Sequence, residues 1–182
     1  MARVLVPLAP GFEEIEAVTV VDILRRAGVE VVTAGLVAGP IRASRGVVVL
    51  PDTTLDAVAG EDFDMVVLPG GQPGTDTLAA DPRVRAILAR HAQRGAYTAA
   101  ICAAPKVLAE AGLLEGRRAT AYPGVLEARA GGITLEEAPV VRDGRVVTSR
   151  GPGTAMDFAL ELAELLAGPQ RRREVEAALQ RP

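Results

Sequence analysis

Residues 98–112 read TAAICAAPKVLAEAG, an apolar run that turns into a helical pattern at a cysteine. TAAIC (98–102) has the length and composition of a buried strand. AAPKVLAEAG (103–112) carries Pro105 near its start and is closed by Gly112, which is how a helix begins and ends. A strand feeding straight into a helix is half of a βαβ unit, so this stretch predicts a parallel sheet with helices on its faces.

The alternation continues in both directions. RVLVPL (3–8) is a β-branched run, and EEIEAVTVVDILRRAG (13–28) places apolar residues at helical spacing before Gly28. VEVVTAG (29–35) and GVVVLP (46–51) read as strands, and FDMVVLPGG (63–71) as a buried strand ending in glycines. DPRVRAILARHAQRG (81–95) is an amphipathic helix. RATAY (118–122) follows the cysteine helix, and PVVRDGRVVTS (139–149) is two β runs around Asp-Gly, a strong hairpin signal. TAMDFALELAELLAG (154–168) and REVEAALQ (173–180) are helical, with Arg171, Arg172 and Arg173 opening the last helix as a solvated face. The expectation is an α/β three-layer sandwich, mostly parallel, with one appended β-hairpin and one domain over residues 1–182.

Composition narrows the function. At 182 residues and 49% hydrophobic, the chain can bury one sizeable core. A net charge of -3 gives no footprint for nucleic acid or an anionic membrane. No apolar run approaches the ~20 residues of a membrane span, and the start does not have the shape of a signal peptide. One Cys makes no internal disulfide and fits a reducing cytoplasm. With one His beside it, no cluster has zinc spacing, so no metal is expected.

In open α/β sheets, sites gather at the carboxyl ends of strands. Three segments qualify: PLAPGFEEIE, LPGGQPGTD and ICAAP. Cys102 sits between strand and helix with Ala100 and Ala104 two residues either side, an alanine version of the nucleophile elbow. On position alone two readings stand, a buried inert thiol or a nucleophile whose thiolate is favoured by the helix that follows. Glu13 and Glu14 read as a solvated first turn. Glu16 lies one turn past Glu13, among Ala17, Val20 and Val21 of the apolar stripe, where desolvation raises a carboxyl and suits it to proton transfer. Gly70, Gly71 and Gly74 have the spacing GGxxG, not GxGxxG, and no Gly-Lys-Ser/Thr follows, so they suit an anion-facing turn better than a nucleotide cradle. His91, in the last turn of its helix, is expected at the surface.

Together these blocks resemble the ThiJ/PfpI superfamily, in particular the branch of YajL and the Parkinson's-linked protein deglycase. The resemblance runs through LAPGFEEIEAV, VDILRRAG, SRGVVVLPD, DMVVLPGGQPG, AAICAAP and TSRGPGTAMDFAL, in the family's order. It implies a flavodoxin-like fold of the class I glutamine amidotransferase type, usually homodimeric. It further implies that Cys102 is the reactive cysteine, that Glu16 is its carboxylate partner, and that Gly70, Gly71 and Ala103 are backbone donors. Arg45 and Arg26 match arginines near the dimer interface by the pocket, and Pro152 matches a pocket residue.

Two positions depart from relatives. Tyr122 stands where the better-studied deglycase has histidine, and a phenol with a pKa near 10 donates well but is a poor base. Ala103 stands where the protease-like branch has histidine, which argues against peptidase and amidotransferase chemistry. The resemblance implies cofactor-independent, cysteine-dependent removal of reactive carbonyls, methylglyoxal to lactate, or the repair of glycated protein or nucleotide adducts. The alternative is a redox-sensing stress protein or chaperone working through oxidation of Cys102. The implied partners are a second copy and small aldehydes or glycated adducts, with no specific nucleic acid, no membrane and a cytoplasmic location.

Overall fold

The structure is a computed structural model and describes residues 1–129 and 131–182. Among these, β1 (Arg3–Leu8), β2 (Glu30–Gly35), β3 (Thr53–Thr54), β4 (Met65–Leu68), β5 (Tyr97–Ile101), β6 (Val140–Asp143) and β7 (Val146–Ser149) form one sheet in the order β6-β7-β5-β4-β1-β2-β3. All pairings are parallel except β6 with β7. The run β2-β1-β4-β5-β7 has the doubly wound, flavodoxin-like pattern, whose switch point lies between β1 and β4.

The pleat of β1 explains the three layers. Val4, Val6 and Leu8 face α1 (Glu14–Arg26), α6 (Ala155–Ala167) and α7 (Pro169–Ala178). Leu5 faces the opposite layer, built from α2 (Leu55–Val58), α3 (Gly74–Ala80), α4 (Pro82–Gln93) and α5 (Pro105–Glu110). Both sides of the central strands are therefore apolar, which accounts for their unbroken hydrophobic runs. No helix among the described residues is long and apolar enough to cross a membrane.

Several expectations need correction. GVVVLP does not join the main sheet. Only Val48–Val49 is extended, paired antiparallel with Ile41–Arg42, and Val47, Val48 and Leu50 are exposed. The edge position falls instead to Thr53–Thr54, whose two residues are too short to carry a pattern. Within RATAY only Arg118–Ala119 is a strand, paired with Thr134–Leu135 outside the main sheet. The hairpin forms, but its two-residue loop is Gly144-Arg145, with Gly144 at φ 59 and Asp143 already paired to Val146. The last helix begins at Pro169, earlier than the arginine run. Arg172 there is no solvated bystander, since it pairs with Glu161 and Glu164 of α6 and with Glu176.

His91 is also misplaced by the surface expectation. It is fully buried, its Nε2 3.0 Å from the Phe63 N–H that donates to it and its Nδ1 2.7 Å from the Ile87 carbonyl. Nδ1 must therefore carry the proton, and burial lowers the imidazole pKa. It is a structural histidine that ties α4 to the entry of β4.

Candidate active site

Because β1, β4 and β5 are parallel, their carboxyl ends bring residues 9–13, 69–73 and 102–104 to one edge of the sheet. The cysteine turn is the tightest of the three. Cys102 has φ 65, a left-handed conformation that costs a side-chain-bearing residue on the order of 1 kcal/mol or more. It is pinned from both sides. Its N–H donates to Ser149 O at 3.0 Å, and its carbonyl accepts from Tyr122 N–H at 2.9 Å. Ala100 and Ala104, fully buried, leave room for the bend.

The glycine turn closes on the same point. A Cβ on Gly70 would lie 2.7 Å from both Cys102 Cβ and Glu16 Oε1, so no larger residue fits there. The Gly70 N–H is not free to meet an oxyanion, because it donates to Glu16 Oε1 at 2.8 Å. The expectation of Gly70 as an oxyanion donor is corrected on that ground. The N–H groups of Gly71 and Ala103 lie near enough to the Cys102 sulfur to favour its ionised form.

Glu16 has no exposed surface, and its Oε2 meets no N–H or O–H among the described residues. The Cys102 thiol lies beside the carboxyl, near enough to lower its pKa against the effect of burial. Burial, helped by the charge of Glu13, raises Glu16 to about 7 against the pull of the Gly70 and Cys102 bonds. Burial also pushes the Cys102 thiol up, to about 12, with the Glu16 charge and hydrogen bond adding to it. The Gly71 and Ala103 N–H groups oppose this but do not win. A thiolate favoured by the following helix is therefore not the resting state. That helix, α5, has six residues and begins three residues beyond the sulfur. Glu16 instead gives up its proton near neutrality while the thiol keeps its own.

Above the pair lies an open cleft of about 350 Å³. Cys102, Ala103 and Gly71 line it together with Arg45, Tyr122 and Pro152. Arg26 does not reach it. It sits ten residues beyond Glu16 on α1, roughly 15 Å away, where it pairs with Asp22.

Glu13, Ser44 and Gln72 also line the cleft, although no local pattern singles them out. Glu13 and Glu14 are not the solvated acids expected. Glu13 caps α1 through Ile15 N–H and sits 3.1 Å from Ser44 Oγ. Glu14 accepts from the N–H groups of Arg45 and Val47. Burial alone would raise the Glu14 carboxyl, but these bonds and the Ser44 hydroxyl hold it below the usual range. The two acids thus fix the loop that brings Arg45 to the cleft. Among the described residues no group of three or more His, Cys, Asp or Glu is placed to hold a metal ion.

Known proteins resemble this chain in sequence and in fold. The Drosophila melanogaster protein dj-1beta is 45% identical over 177 residues, covering 96% of this chain and 95% of its own. The crystal structure of Drosophila melanogaster DJ-1beta matches with a TM-score of 0.94 at 44% identity, covering 98% of this chain and 97% of that one. An oxidized Toxoplasma gondii DJ-1 structure also matches with a TM-score of 0.94, at 40% identity over 98% of each chain. The Caenorhabditis elegans protein named glutathione-independent glyoxalase DJR-1.2 is 37% identical over 159 residues, covering 87% of this chain and 85% of its own. The model of the DJ-1/PfpI family matches residues 2–165, and the chain belongs to that family.

Proposed function

We propose that the chain, acting as one domain over residues 1–182, converts methylglyoxal and related reactive carbonyls to hydroxy acids through Cys102 and Glu16 without a cofactor. The observation that carries this reading is the pairing of a buried carboxyl, raised to about 7, with a thiol that lines an open cleft. A neutral thiol beside an ionised carboxylate is activated by general-base catalysis. Glu16 takes the thiol proton as sulfur bonds to the aldehyde carbon, and the proton passes to the carbonyl oxygen, giving a hemithioacetal. Glu16 then removes the proton on that carbon, and the Gly71 and Ala103 N–H groups steady the resulting enediolate. Return of the proton to the adjacent carbon gives a lactoyl thioester. Water cleaves the thioester to lactate and restores the thiol. One carbon is oxidised and its neighbour reduced within the same molecule, so no external oxidant enters. The similarity to a protein named a glyoxalase supports the substrate class. Purified protein should consume methylglyoxal, and Cys102→Ser should not; equal rates would end this reading.

A second reading is favoured by the partial accessibility of the same thiol and by the likeness to an oxidized relative. Hydrogen peroxide would take Cys102 to the sulfinate, two equivalents being reduced to water, as part of a stress response or chaperone role. Mass spectrometry after mild peroxide should show two added oxygens on Cys102, and an unreactive thiol would sink it.

We also propose a homodimer in the cytoplasm. Ile15 and Val18 on α1, with Val47, Val48 and Leu50 of the neighbouring hairpin, are each at least half exposed. Apolar exposure of this extent on one face fits burial against a second copy. An interface on this face would lie beside the Arg45 loop.

A further inference from the structure

We propose that Ser149 and Thr154 are positioning residues that set the width of the Cys102 cleft, and so the size of electrophile that reaches the sulfur. The inference rests on Cys102 being the reacting group, as in the reading above, but not on turnover.

Ser149 ends β7 and is fully buried. Its backbone carbonyl is the acceptor for the Cys102 N–H. Its hydroxyl donates to the Pro139 carbonyl at 2.7 Å and lies 2.7 Å from Thr154 Oγ1. Thr154 Oγ1 in turn accepts the Gly151 N–H at 3.2 Å and lies 3.0 Å from the Gly151 carbonyl. The two hydroxyl protons are thereby accounted for. Ser149 spends its own on Pro139, and Thr154 has Ser149 Oγ or Gly151 O to receive its proton.

The turn held by these bonds, residues 150–153, carries Pro152, which lines the cleft together with the cysteine. It also backs the other wall: a Cβ on Gly151 would meet the Tyr122 ring at 3.4 Å. The Tyr122 N–H closes the circuit on the Cys102 carbonyl. One pair of hydroxyls, that of Ser149 fully buried and that of Thr154 partly so, therefore joins the strained backbone of the nucleophile to two other residues of the cleft. Without the Thr154 hydroxyl the Gly151 N–H, in a buried residue, loses its partner, and the turn must open to find water.

The test compares second-order alkylation of Cys102 at pH 8 by a small reagent, iodoacetamide, and a bulky one, N-phenylmaleimide. Thr154→Val keeps the shape and removes the hydroxyl. It should raise the maleimide-to-iodoacetamide rate ratio by at least about fivefold, as expected when an approach constraint is released. Thr154→Ser should keep the wild-type ratio, and Ser149→Ala should move it in the same direction as Val. A ratio within about twofold of wild type in folded Thr154→Val overturns the proposal. If that variant does not fold, the same result in Ser149→Ala overturns it. Absence of methylglyoxal turnover in wild type would count against the enzymatic reading alone, because the alkylation ratio does not depend on it.

Discussion

Replacing Glu16 by Gln separates what this carboxyl does for chemistry from what it does to stability. In the unfolded chain Glu16 ionises near 4.5, and in the fold near 7. The folded state therefore binds the proton more tightly, and the sign follows directly. Stability is unaffected below the unfolded value, falls as pH rises between the two, and stays lowered above 7. Integrated over that window, ionising the buried group costs about 3 kcal/mol. The glutamine amide keeps an oxygen for the Gly70 N–H, now 2.8 Å from Glu16 Oε1, but carries no charge at any pH. Urea denaturation of both proteins should show Glu16→Gln more stable by about 1 kcal/mol at pH 5 and about 3 kcal/mol at pH 8. Taking the difference between the two proteins cancels His91, which titrates in the same range with the opposite sign. A difference that stays flat with pH, or a less stable glutamine variant at pH 8, would refute the argument that burial strains this carboxylate.

His91→Leu should cost about 1–3 kcal/mol by stranding the Phe63 N–H, measured by the same denaturation at pH 7. Because burial lowers the His91 pKa, the unfolded chain gains a proton below about 6.5 that the fold does not accept. The gap between wild type and His91→Leu should therefore narrow as pH falls from 7 to 5. Gly70→Ala puts a Cβ 2.7 Å from both Cys102 Cβ and Glu16 Oε1, and should slow alkylation of Cys102 at least about tenfold or cost about 2–4 kcal/mol in thermal denaturation. Val48→Glu places a charge on the exposed apolar hairpin and should shift size-exclusion elution from dimer to monomer without changing the circular dichroism spectrum.

The parts of the molecule legible in sequence are those written in local pattern. RVLVPL, FDMVVLP and TAAIC are apolar on both faces because both faces are buried, and Cys102 stands out because small residues flank a strand-to-helix junction. Glu16 was readable as an acid inside an apolar stripe. What escaped depends on partners far away in the chain. The hydrophobicity of GVVVLP reads as burial in the sheet, yet it belongs to an exposed hairpin. His91 has no local signal for the Phe63 N–H that captures it from 28 residues away. Of the two readings that position allows the thiol, a thiolate favoured by the next helix meets a helix of only six residues, which competes poorly with burial and the nearby Glu16 carboxylate. Gly70 has the residue type of an oxyanion donor, and only the three-dimensional fold shows its N–H already given to Glu16.

Whether Glu16 is the base for Cys102 is tested most directly by the pH profile of lactate release from methylglyoxal. With wild-type protein, kcat/KM should rise about tenfold per pH unit below neutrality and level off above an apparent pKa near 7, the value to which burial raises Glu16. Glu16→Gln should lose at least about a hundredfold at the plateau, the usual span of general acid–base catalysis. A wild-type profile flat from pH 5 to 9, or a Glu16→Gln variant that releases lactate at the wild-type rate, would contradict the assignment.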